Sequence, residues 1–389
     1  MSRKRSRAAI VGAAAASVVA GVALVPNWTA GAAVVDDPTV DPATKATFQR
    51  LADAVFTDRT QALVDDAKGG DTARHPRTSG FSGRVKLSGT QSHQESSALS
   101  QLRGRKSRLA QLGEKYSAAA TSVTLDATQV KGRRATVDVT ENTTLTYEKV
   151  KGTEPRTTGF QAHHELTFKA DRQGDWQLTG IRDTDDGYLA VNQVAKPAVA
   201  APATADSGPP EATRSSTSWP APSKPKKLTG GTYDYRAMAA YAAKYWNNYN
   251  PAYPNYNGQG AGGDCTNFVS QTLKAGGWKH VPGYTSDYHK WFGTADIQSD
   301  SFVGVNEFSW FALSSQRVTS LANVYQLDVG DVLQMDFNKD GSKDHSMIVT
   351  YRSPQGVPYV TYHSTNTYNR SVASIIASYP TAAYYAYRT

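Results

Sequence analysis

A segment poor in large apolar residues divides this sequence into two blocks. Residues 191–230 contain the run AKPAVAAPATADSGPPEATRSSTSWPAPSKPKKL, which is rich in Pro, Ala, Ser and Thr. Such a composition does not bury enough apolar surface to offset the chain entropy lost on folding. We therefore predict a semi-stiff extended linker at 191–230. It separates an N-terminal domain at 40–190 from a C-terminal domain at 231–389, each long enough to form its own core.

The first residues have the layout of a secretory signal peptide. MSRKRSR carries four basic side chains, an uncharged apolar run follows, and Ala30-Gly31-Ala32 has the small-x-small form of a cleavage site. A membrane anchor is the alternative, but the Ala and Gly content of the run favours cleavage. We predict a signal peptide at 1–32 and a secreted protein, extracellular or associated with the cell wall. No later run approaches about 18 apolar residues, so the mature chain is not expected to be embedded in a membrane.

The formal net charge of +8 does not indicate a nucleic-acid-binding protein. Four basic residues leave with the predicted signal peptide, which holds no acidic residue, and residues 232–389 contain 11 basic and 11 acidic side chains. The remaining positive charge lies in the N-terminal half and in the linker, where it would favour contact with an anionic cell wall. We expect a monomer that has no nucleic-acid partner.

The N-terminal domain is predicted to be α+β and accessory. DPATKATFQRLADAVF has apolar residues at helical spacing, a second helix is predicted in ESSALSQLRGRKSRLAQ, and alternating segments such as RRATVDVTENTTLTYEKV and FQAHHELTFKAD indicate antiparallel strands. Helices followed by a curved sheet resemble the NTF2-like cone fold in the order of their elements. For His163 and His164, which fall in one of these strands, a structural role is the expectation.

The only cysteine of the chain, Cys265, lies in GQGAGGDCTNFVSQTLKAGGW. Asp264 is a favourable N-cap residue and Gly276-Gly277 closes the segment, so Cys265 is predicted in the first turn of a helix. The helix dipole there favours the thiolate. An unpaired cysteine in a secreted protein indicates a reactive thiol or an intermolecular bridge, although a lone cysteine is often simply a small buried apolar residue.

A nucleophilic thiolate needs a base, and His345 is the best-placed histidine. DHSMIVTY is predicted to be a strand that opens at this residue, and YVTYHSTN returns as the next strand. If paired residue numbers in this hairpin add to an even number, His363 shares the face of His345 and can orient its imidazole. An odd number would offer Ser364 instead, and Asn366 is a further candidate for the third position.

Four segments carry a resemblance to a known family. YDYRAMAAYAAKYWNNYNPAY, GGDCTNFVSQTLKAGGW, LDVGDVLQMDFNKDGSKDHSMIV and YVTYHSTNTYNRSV resemble the secreted bacterial domain called the putative amidase domain, over residues 232–389. That domain is similar to the NlpC/P60 and CHAP branches of the papain-like superfamily. The resemblance implies an α+β core in which the nucleophile helix packs on an antiparallel sheet. It also implies a nucleophile at Cys265, a base at His345 and a third polar residue at His363.

The oxyanion of such a reaction needs hydrogen-bond donors. The backbone N–H of Cys265 is one natural donor. Gln259, six residues upstream, is a tentative second donor, because a similar Gln-to-Cys separation occurs in papain-like enzymes. Tyr253 and Tyr256 are rivals for this role.

DFNKDGSKD has part of the pattern of a calcium-binding loop. Asp336, Asn338, Asp340 and Gly341 occupy its first, third, fifth and sixth positions, but Met347 stands where a bidentate Glu is needed. A polar turn is the simpler interpretation. Because the sequence has no HxxxH or CxxC spacing either, we expect no metal and no cofactor.

These features together predict a secreted cysteine-dependent amidohydrolase. A Cys-His-(His/Asn) triad would cleave amide bonds through a thioester, and cell-wall peptidoglycan or its stem peptides are the expected substrate. Two alternatives stay open. The C-terminal domain could bind the cell wall without cutting it, or it could be an acyltransferase that passes the thioester's acyl group to an amine.

Overall fold

The computed structural model describes residues 40–65, 76–186, 188–194, 209–221, 226–259 and 263–389. The predicted signal peptide at 1–32 lies outside the described residues. Within the described residues, no helix combines the length and the apolar composition needed to cross a membrane.

Up to residue 194, the described part of the chain forms two α-helices and five strands. They are α1 (Pro42–Gln61), β1 (Val85–Leu87), α2 (Gly89–Gln111), β2 (Tyr116–Lys131), β3 (Arg134–Tyr147), β4 (Thr157–Ala170) and β5 (Trp176–Asp183), with a 3₁₀ turn at Arg77–Gly80. α1 begins where the Asp41 side chain accepts a hydrogen bond from the Thr44 amide and Pro42 occupies the first turn. Its apolar face, which includes Phe48, Leu51 and Val55, is buried against the sheet.

The C-terminal half supplies the remaining elements. They are α3 (Tyr235–Tyr245), α4 (Cys265–Ala275), α5 (Asp300–Val303), α6 (Val305–Ser314), β6 (Thr319–Leu321), β7 (Val332–Asp336), β8 (His345–Arg352), β9 (Pro358–Tyr362), β10 (Asn366–Ser371), α7 (Val372–Ser378) and β11 (Ala383–Arg388), with a 3₁₀ turn at Val324–Gln326. Helices and strands therefore both contribute, and the predicted α+β class is confirmed.

One mixed sheet contains strands from both halves of the chain. Its order is β1-β5-β4-β10-β9-β8-β7-β11-β6, and β2 and β3 continue from the other edge of β4. β4 is long enough for one edge to pair with β5 over 164–170 and with β10 over 159–161. The β1–β5 pair is parallel and the other pairs are antiparallel.

Part of the segment predicted as a linker is packed onto this sheet. The Ser215 amide donates to the Tyr384 carbonyl (2.7 Å), and Ser216 forms a β-bridge with Asn323. At the start of the segment, Val191 and Asn192 are buried. These contacts differ from a solvent-extended tether, because backbone hydrogen bonds and the Ser215 hydroxyl, which donates to the Leu321 carbonyl (2.6 Å), hold the segment on the sheet.

Strand alternation separates two cores in the C-terminal half. Val332 and Ile348 face α3, α4 and α6, whereas Leu333 and Met347 face α7 and the aromatic residues near it. Consecutive strand residues point to opposite faces. We call these the α4 face and the α7 face; by this alternation Ser346 belongs to the first and His345 to the second.

Candidate active site

Cys265 is the first residue of α4, as predicted, and Asp264 occupies the N-cap position. The Asp264 carboxylate does not cap the backbone of the first turn. It accepts hydrogen bonds from the Tyr256 amide (3.0 Å) and the Asn267 side chain (2.8 Å), and it contacts the ring of His363 (2.6 Å). The capping role assigned to Asp264 is therefore wrong, because stronger side-chain partners take its oxygens.

The thiol of Cys265 is buried, with 1% of the residue exposed. Its Sγ lies 3.8 Å from Oγ1 of Thr266 and beside the backbone amide of Ser346. Burial raises the pKa of Cys265 above its ordinary value, and these two contacts, which lower it, do not outweigh burial. The position at the helix start therefore does not favour the thiolate in this state. The Thr266 hydroxyl also bonds the Ser346 hydroxyl (2.9 Å), which fastens α4 to β8.

His345 begins β8, also as predicted, and its side chain is enclosed by aromatic rings. The ring of Tyr188 stacks on it at a centroid distance of 4.4 Å, and Tyr362 meets it edge-on at 5.0 Å. Burial, together with the charge of Arg370, lowers the pKa of His345 to about 3. Its Nε2 has no hydrogen-bond partner in the described part of the chain. The low pKa keeps the imidazole neutral, and its Nε2 is free to exchange a proton.

Cys265 lies close to the backbone of His345 but does not contact its side chain. The amide beside the Cys265 sulfur is the N–H of Ser346, in the peptide bond that links His345 to Ser346. Within the described residues, however, no hydrogen bond joins the sulfur to the His345 ring. The sulfur is on the α4 face, whereas the imidazole packs on the α7 face.

The register of β8 and β9 decides the role of His363. Residues 348–349 pair with residues 360–361 so that the numbers in each pair add to an odd number. Continued to the start of β8, this register sets His363 opposite Ser346, and directly opposed side chains share a face. The even register that would let His363 orient His345 is therefore wrong.

His363 instead packs against the N-terminal end of α4, the helix that carries the thiol. Its Nδ1 lies 2.6 Å from Oδ2 of Asp264, and its Nε2 lies 2.8 Å from the carbonyl oxygen of Tyr245. Its ring stacks on Phe268 of α4 at 4.0 Å and contacts Tyr249 at 4.1 Å. His363 thus ties the first two turns of α4 to the end of β9.

The other predicted site residues are engaged elsewhere. The exposed Gln259 donates its side-chain amide to the Asn255 carbonyl within its own loop, so this donor is not directed at an oxyanion. Asn366 accepts a hydrogen bond from the Tyr249 hydroxyl (2.8 Å) and donates to Gln161 (3.3 Å). The Ser364 hydroxyl accepts from the Asp264 amide (3.0 Å).

In the candidate calcium loop, side-chain oxygens accept hydrogen bonds from the backbone amides of the loop itself. Asp336 accepts hydrogen bonds from the Lys339 amide (2.6 Å) and the Gly341 amide (3.0 Å). Asn338 accepts from the Asp340 amide (3.2 Å) and donates to its carboxylate (2.9 Å). Across the residues that the structure describes, no group of three or more His, Cys, Asp or Glu side chains could hold a metal ion. This arrangement is that of a polar turn.

The segment after β5 covers the α7 side of the site. We call residues 184–186 and 188–194 the cover segment. Two hydrogen bonds hold it to the C-terminal half: its Tyr188 carbonyl accepts from the Thr365 hydroxyl, and its Leu189 amide donates to the Tyr379 hydroxyl (3.1 Å). Farther along, the Asn192 side chain donates to Glu141 (2.7 Å) of β3. Sequence patterns do not reveal this role, because Tyr188 falls between the last predicted strand and the linker.

Comparisons with known proteins concern the C-terminal half. Residues 232–387 match the family model described as "Putative amidase domain", which supports an amidase-like domain and a general amidase or hydrolase function. The chain is 32% identical over 142 residues to "Uncharacterized protein YhbB" of Bacillus subtilis (strain 168), covering 35% of this chain and 44% of that protein. It is 33% identical over 149 residues to "Uncharacterized protein YjcM" of the same organism, covering 36% and 32%.

The chain thus spans less than half the length of the curated relatives it matches. Among solved structures, the crystal structure of the intermembrane space region of chloroplast protein ARC6 aligns with 38% of this chain and 98% of its own, at 17% identity and a TM-score of 0.23. The similarity that bears on function is therefore the amidase-like domain at residues 232–387.

Proposed function

We propose that residues 231–389 are a cysteine-dependent amidohydrolase and that Cys265 is its nucleophile. The observation that carries this proposal is the setting of Cys265 at the start of α4, with the Ser346 amide beside its sulfur. A thiol at a helix start, next to a backbone donor, has the elements needed to attack a carbonyl and to stabilise the resulting oxyanion. The match to an amidase-like domain supports the same chemistry.

In the proposed reaction, His345 accepts the thiol proton as the sulfur of Cys265 bonds to the amide carbon. The tetrahedral intermediate collapses to a thioester, and the C–N bond breaks as His345 returns the proton to the leaving amine. Water then attacks the thioester, with His345 again as base, and releases the acid and the free thiol. For this, the imidazole must turn from the α7 face toward the sulfur.

Asp264 and His363 serve as positioning residues in this scheme. Their contact is buried, with both residues at most 1% exposed, and it joins the residue before the nucleophile to the end of β9. A fixed first turn of α4 holds the sulfur at a constant position relative to β8. Holding reacting groups in a fixed orientation in this way speeds a reaction.

The cover segment makes the described state a closed one. Cys265 and His345 are each 1% exposed, and Tyr188 lies directly on the imidazole. In this scheme, the Tyr188 contact must open before the His345 imidazole can turn toward the sulfur. Opening also returns water to His345, which raises the pKa of His345 from about 3 toward its ordinary value and makes it a useful base.

The finer assignments belong to the same proposal. They are secretion with a signal peptide at 1–32, a papain-like arrangement of 231–389, an NTF2-like accessory domain at 40–190, and stem peptides of cell-wall peptidoglycan as substrate. Compartment and family resemblance support them by analogy.

The test is an incubation of the chain beginning at Ala33 with purified peptidoglycan of defined stem peptide, followed by mass spectrometry of the soluble products. Cys265→Ala and Cys265→Ser are the matched inactive variants, and Tyr188→Leu is the opened variant. We expect products from the wild type, more from Tyr188→Leu, and none from either Cys265 variant. Product masses name the bond that is cut. Products that persist in Cys265→Ala would sink the proposal.

The complete burial of Cys265 and His345 favours one alternative, a binding module that does not cut its ligand. In that case the thiol is a structural group, and opening the cover does not expose a nucleophile. Sedimentation with insoluble peptidoglycan separates the two: a module binds equally well with Cys265→Ala and releases no product with or without Tyr188→Leu.

A further inference from the structure

A polar surface separate from the candidate active site lies on the part of the sheet formed by β2, β3, β4 and β10. Their registers align two rows of directly opposed residues across all four strands. One row is Ala120, Thr144, Gly159 and Tyr368, and the other is Ser122, Asn142, Gln161 and Asn366. Opposed residues share a face. Residues from β2, β3, β4 and the C-terminal strand β10 therefore contribute to one continuous surface.

A cavity of about 300 Å³ opens on this surface. Its lining includes Ala120, Ser122, Asn142, Thr144, Phe160 and Trp246, and every lining residue that the structure describes is uncharged. Cavities of this size are at the lower end of those that bind small ligands. A charged ligand would find no opposite charge in this lining, so the cavity suits a neutral polar molecule.

Trp246 forms an aromatic wall of the cavity. It follows α3, its ring stacks on Tyr368 at 5.9 Å, and its edge lies 3.8 Å from the position that a Cβ would occupy at Gly159. This distance is an ordinary van der Waals contact, so the ring lies directly over this part of the sheet.

Several polar groups beside the wall lack a partner. The hydroxyls of Ser122 and Thr144, the Nδ2 of Asn142 and the indole N–H of Trp246 form no hydrogen bond with another described residue, whereas Asn142 Oδ1 accepts from Gln161 (3.2 Å). Together they offer donors and acceptors around an apolar ring. A pyranose ring combines the matching properties: apolar C–H groups on its faces and hydrogen-bonding hydroxyls around its edge.

From this combination we infer that the cavity on the β2-β3-β4-β10 surface is a binding site for a neutral carbohydrate chain. One sugar ring packs on Trp246, and Ser122, Asn142 and Thr144 bond its hydroxyls. The inference does not rest on the proposed hydrolysis, since binding at this cavity needs no thiol chemistry.

The second row of the surface runs toward the candidate active site. It ends at Asn366, whose Oδ1 accepts a hydrogen bond from the Tyr249 hydroxyl, and the Tyr249 ring lies 4.1 Å from that of His363. His363 in turn contacts the residue that precedes Cys265. Because Asn366 and His363 are buried, these contacts link the cavity surface to the residue before Cys265 through the interior, and the sugar itself stays at the cavity.

The experiment is isothermal titration calorimetry, in which the protein is titrated separately with chitotetraose, cellotetraose and maltotetraose. The Trp246→Ala variant removes the wall. Asn142→Asp keeps the acceptor that Gln161 uses and replaces the free donor by a carboxylate oxygen, which cannot donate to a sugar hydroxyl. Trp219→Ala is the matched control, because Trp219 is 44% exposed and lies outside this cavity. Circular dichroism confirms that each variant is folded.

We expect saturable binding of at least one of the three sugars by the wild type and by Trp219→Ala. Loss of the stacking ring weakens that binding by about tenfold or more in Trp246→Ala, and Asn142→Asp weakens it in a folded protein. Cys265→Ala binds like the wild type, which separates this site from the proposed hydrolysis. The inference is overturned if none of the three sugars binds, or if binding is unchanged in both cavity variants.

Discussion

The phenol ring of Tyr188 lies 4.4 Å from the imidazole of His345, with the two planes only 13° from parallel. Tyr188 comes from the segment that follows the N-terminal strands, whereas His345 opens β8 in the amidase-like domain. The N-terminal half therefore supplies a group that excludes water from the proposed base.

Replacing Tyr188 should open this contact. In Tyr188→Leu, we expect faster alkylation of Cys265 by iodoacetamide at pH 7 and a larger yield of hydrolysis products, because water reaches the imidazole of His345 and the ring is free to turn toward the sulfur. Tyr351→Leu is the control, since Tyr351 also reaches the N-terminal half, through Thr153 at 3.0 Å, but does not contact His345. Equal labelling rates in wild type and Tyr188→Leu would contradict a covering role.

His345 should make the protein less stable in acid. Its folded pKa of about 3 lies below the ordinary 6.5, so the unfolded chain binds a proton as the pH falls below about 6.5 while the folded chain does not. This stability is therefore present at neutral pH and is lost as the pH falls. At pH 5 the loss is about 2 kcal/mol.

Urea unfolding at pH 8 and pH 5 measures this effect. His345→Gln should reduce the difference between the two pH values, whereas His289→Gln, at an exposed histidine, should leave it unchanged. An identical pH dependence in His345→Gln and wild type would show that the imidazole is not neutral in the folded protein.

His164 should act in the opposite direction. Burial alone would lower its pKa, but hydrogen bonds to Asp183 (2.9 Å) and Glu141 (3.1 Å) outweigh burial and raise the pKa of His164 to about 9. Its contribution to stability is fully present below about pH 6.5 and is lost as the pH rises through about 9. His164→Gln should flatten the decline in unfolding free energy between pH 7 and pH 9.5. A decline as steep as that of the wild type would refute this assignment.

The Asp264–His363 contact should be strongly coupled. Removing one partner leaves the other buried without a matched hydrogen-bond partner, so Asp264→Asn should lower the free energy of unfolding by about 3 kcal/mol. The double variant with His363→Gln should be close to the single variants, which a double-mutant cycle quantifies. The exposed pair Asp287–His289, at 2.9 Å, is the matched control, with a much weaker expected coupling because solvent screens it. Similar couplings for the two pairs would contradict the buried role.

Gly263 should not tolerate a side chain. Its φ is +87°, and a Cβ would lie 2.3 Å from the Ser364 hydroxyl that accepts the Asp264 amide. Gly258 has a similar φ of +71° but no neighbour closer than 3.8 Å. Gly258→Ala should therefore cost only the backbone strain of about 1–2 kcal/mol, and Gly263→Ala should cost more. Thermal unfolding of both variants gives the comparison, and equal losses would mean that the close approach is unimportant.

Local patterns in the sequence predicted the local parts of this structure. The start of α4 at Cys265 follows from the glycine run and the apolar spacing after it, and the start of β8 at His345 follows from the alternation in DHSMIVTY. The apolar face of α1 was predicted from its periodicity in the same way. Each of these signals lies within a few residues of the feature that it predicts.

Pairings between distant segments were not predictable in this way. A strand's alternation gives its two faces but not its neighbour, so nothing in β4 or β10 alone indicates that Gln161 pairs with Asn366. The register of β8 with β9 depends on an irregularity after Val349, and it decided that His363 and His345 point to opposite faces. The capping oxygen of Asp264 was likewise taken by a histidine 99 residues away.

The pairing of β4 with β10 also determines what a protease can achieve on this protein. A cut between the two halves would leave them joined by backbone hydrogen bonds, so the product is a nicked two-chain complex rather than a freed amidase-like domain. Release would require β10 to be peeled from β4, which bares an unpaired strand edge that invites self-association. Activation by trimming would therefore depend on a partner that accepts this edge.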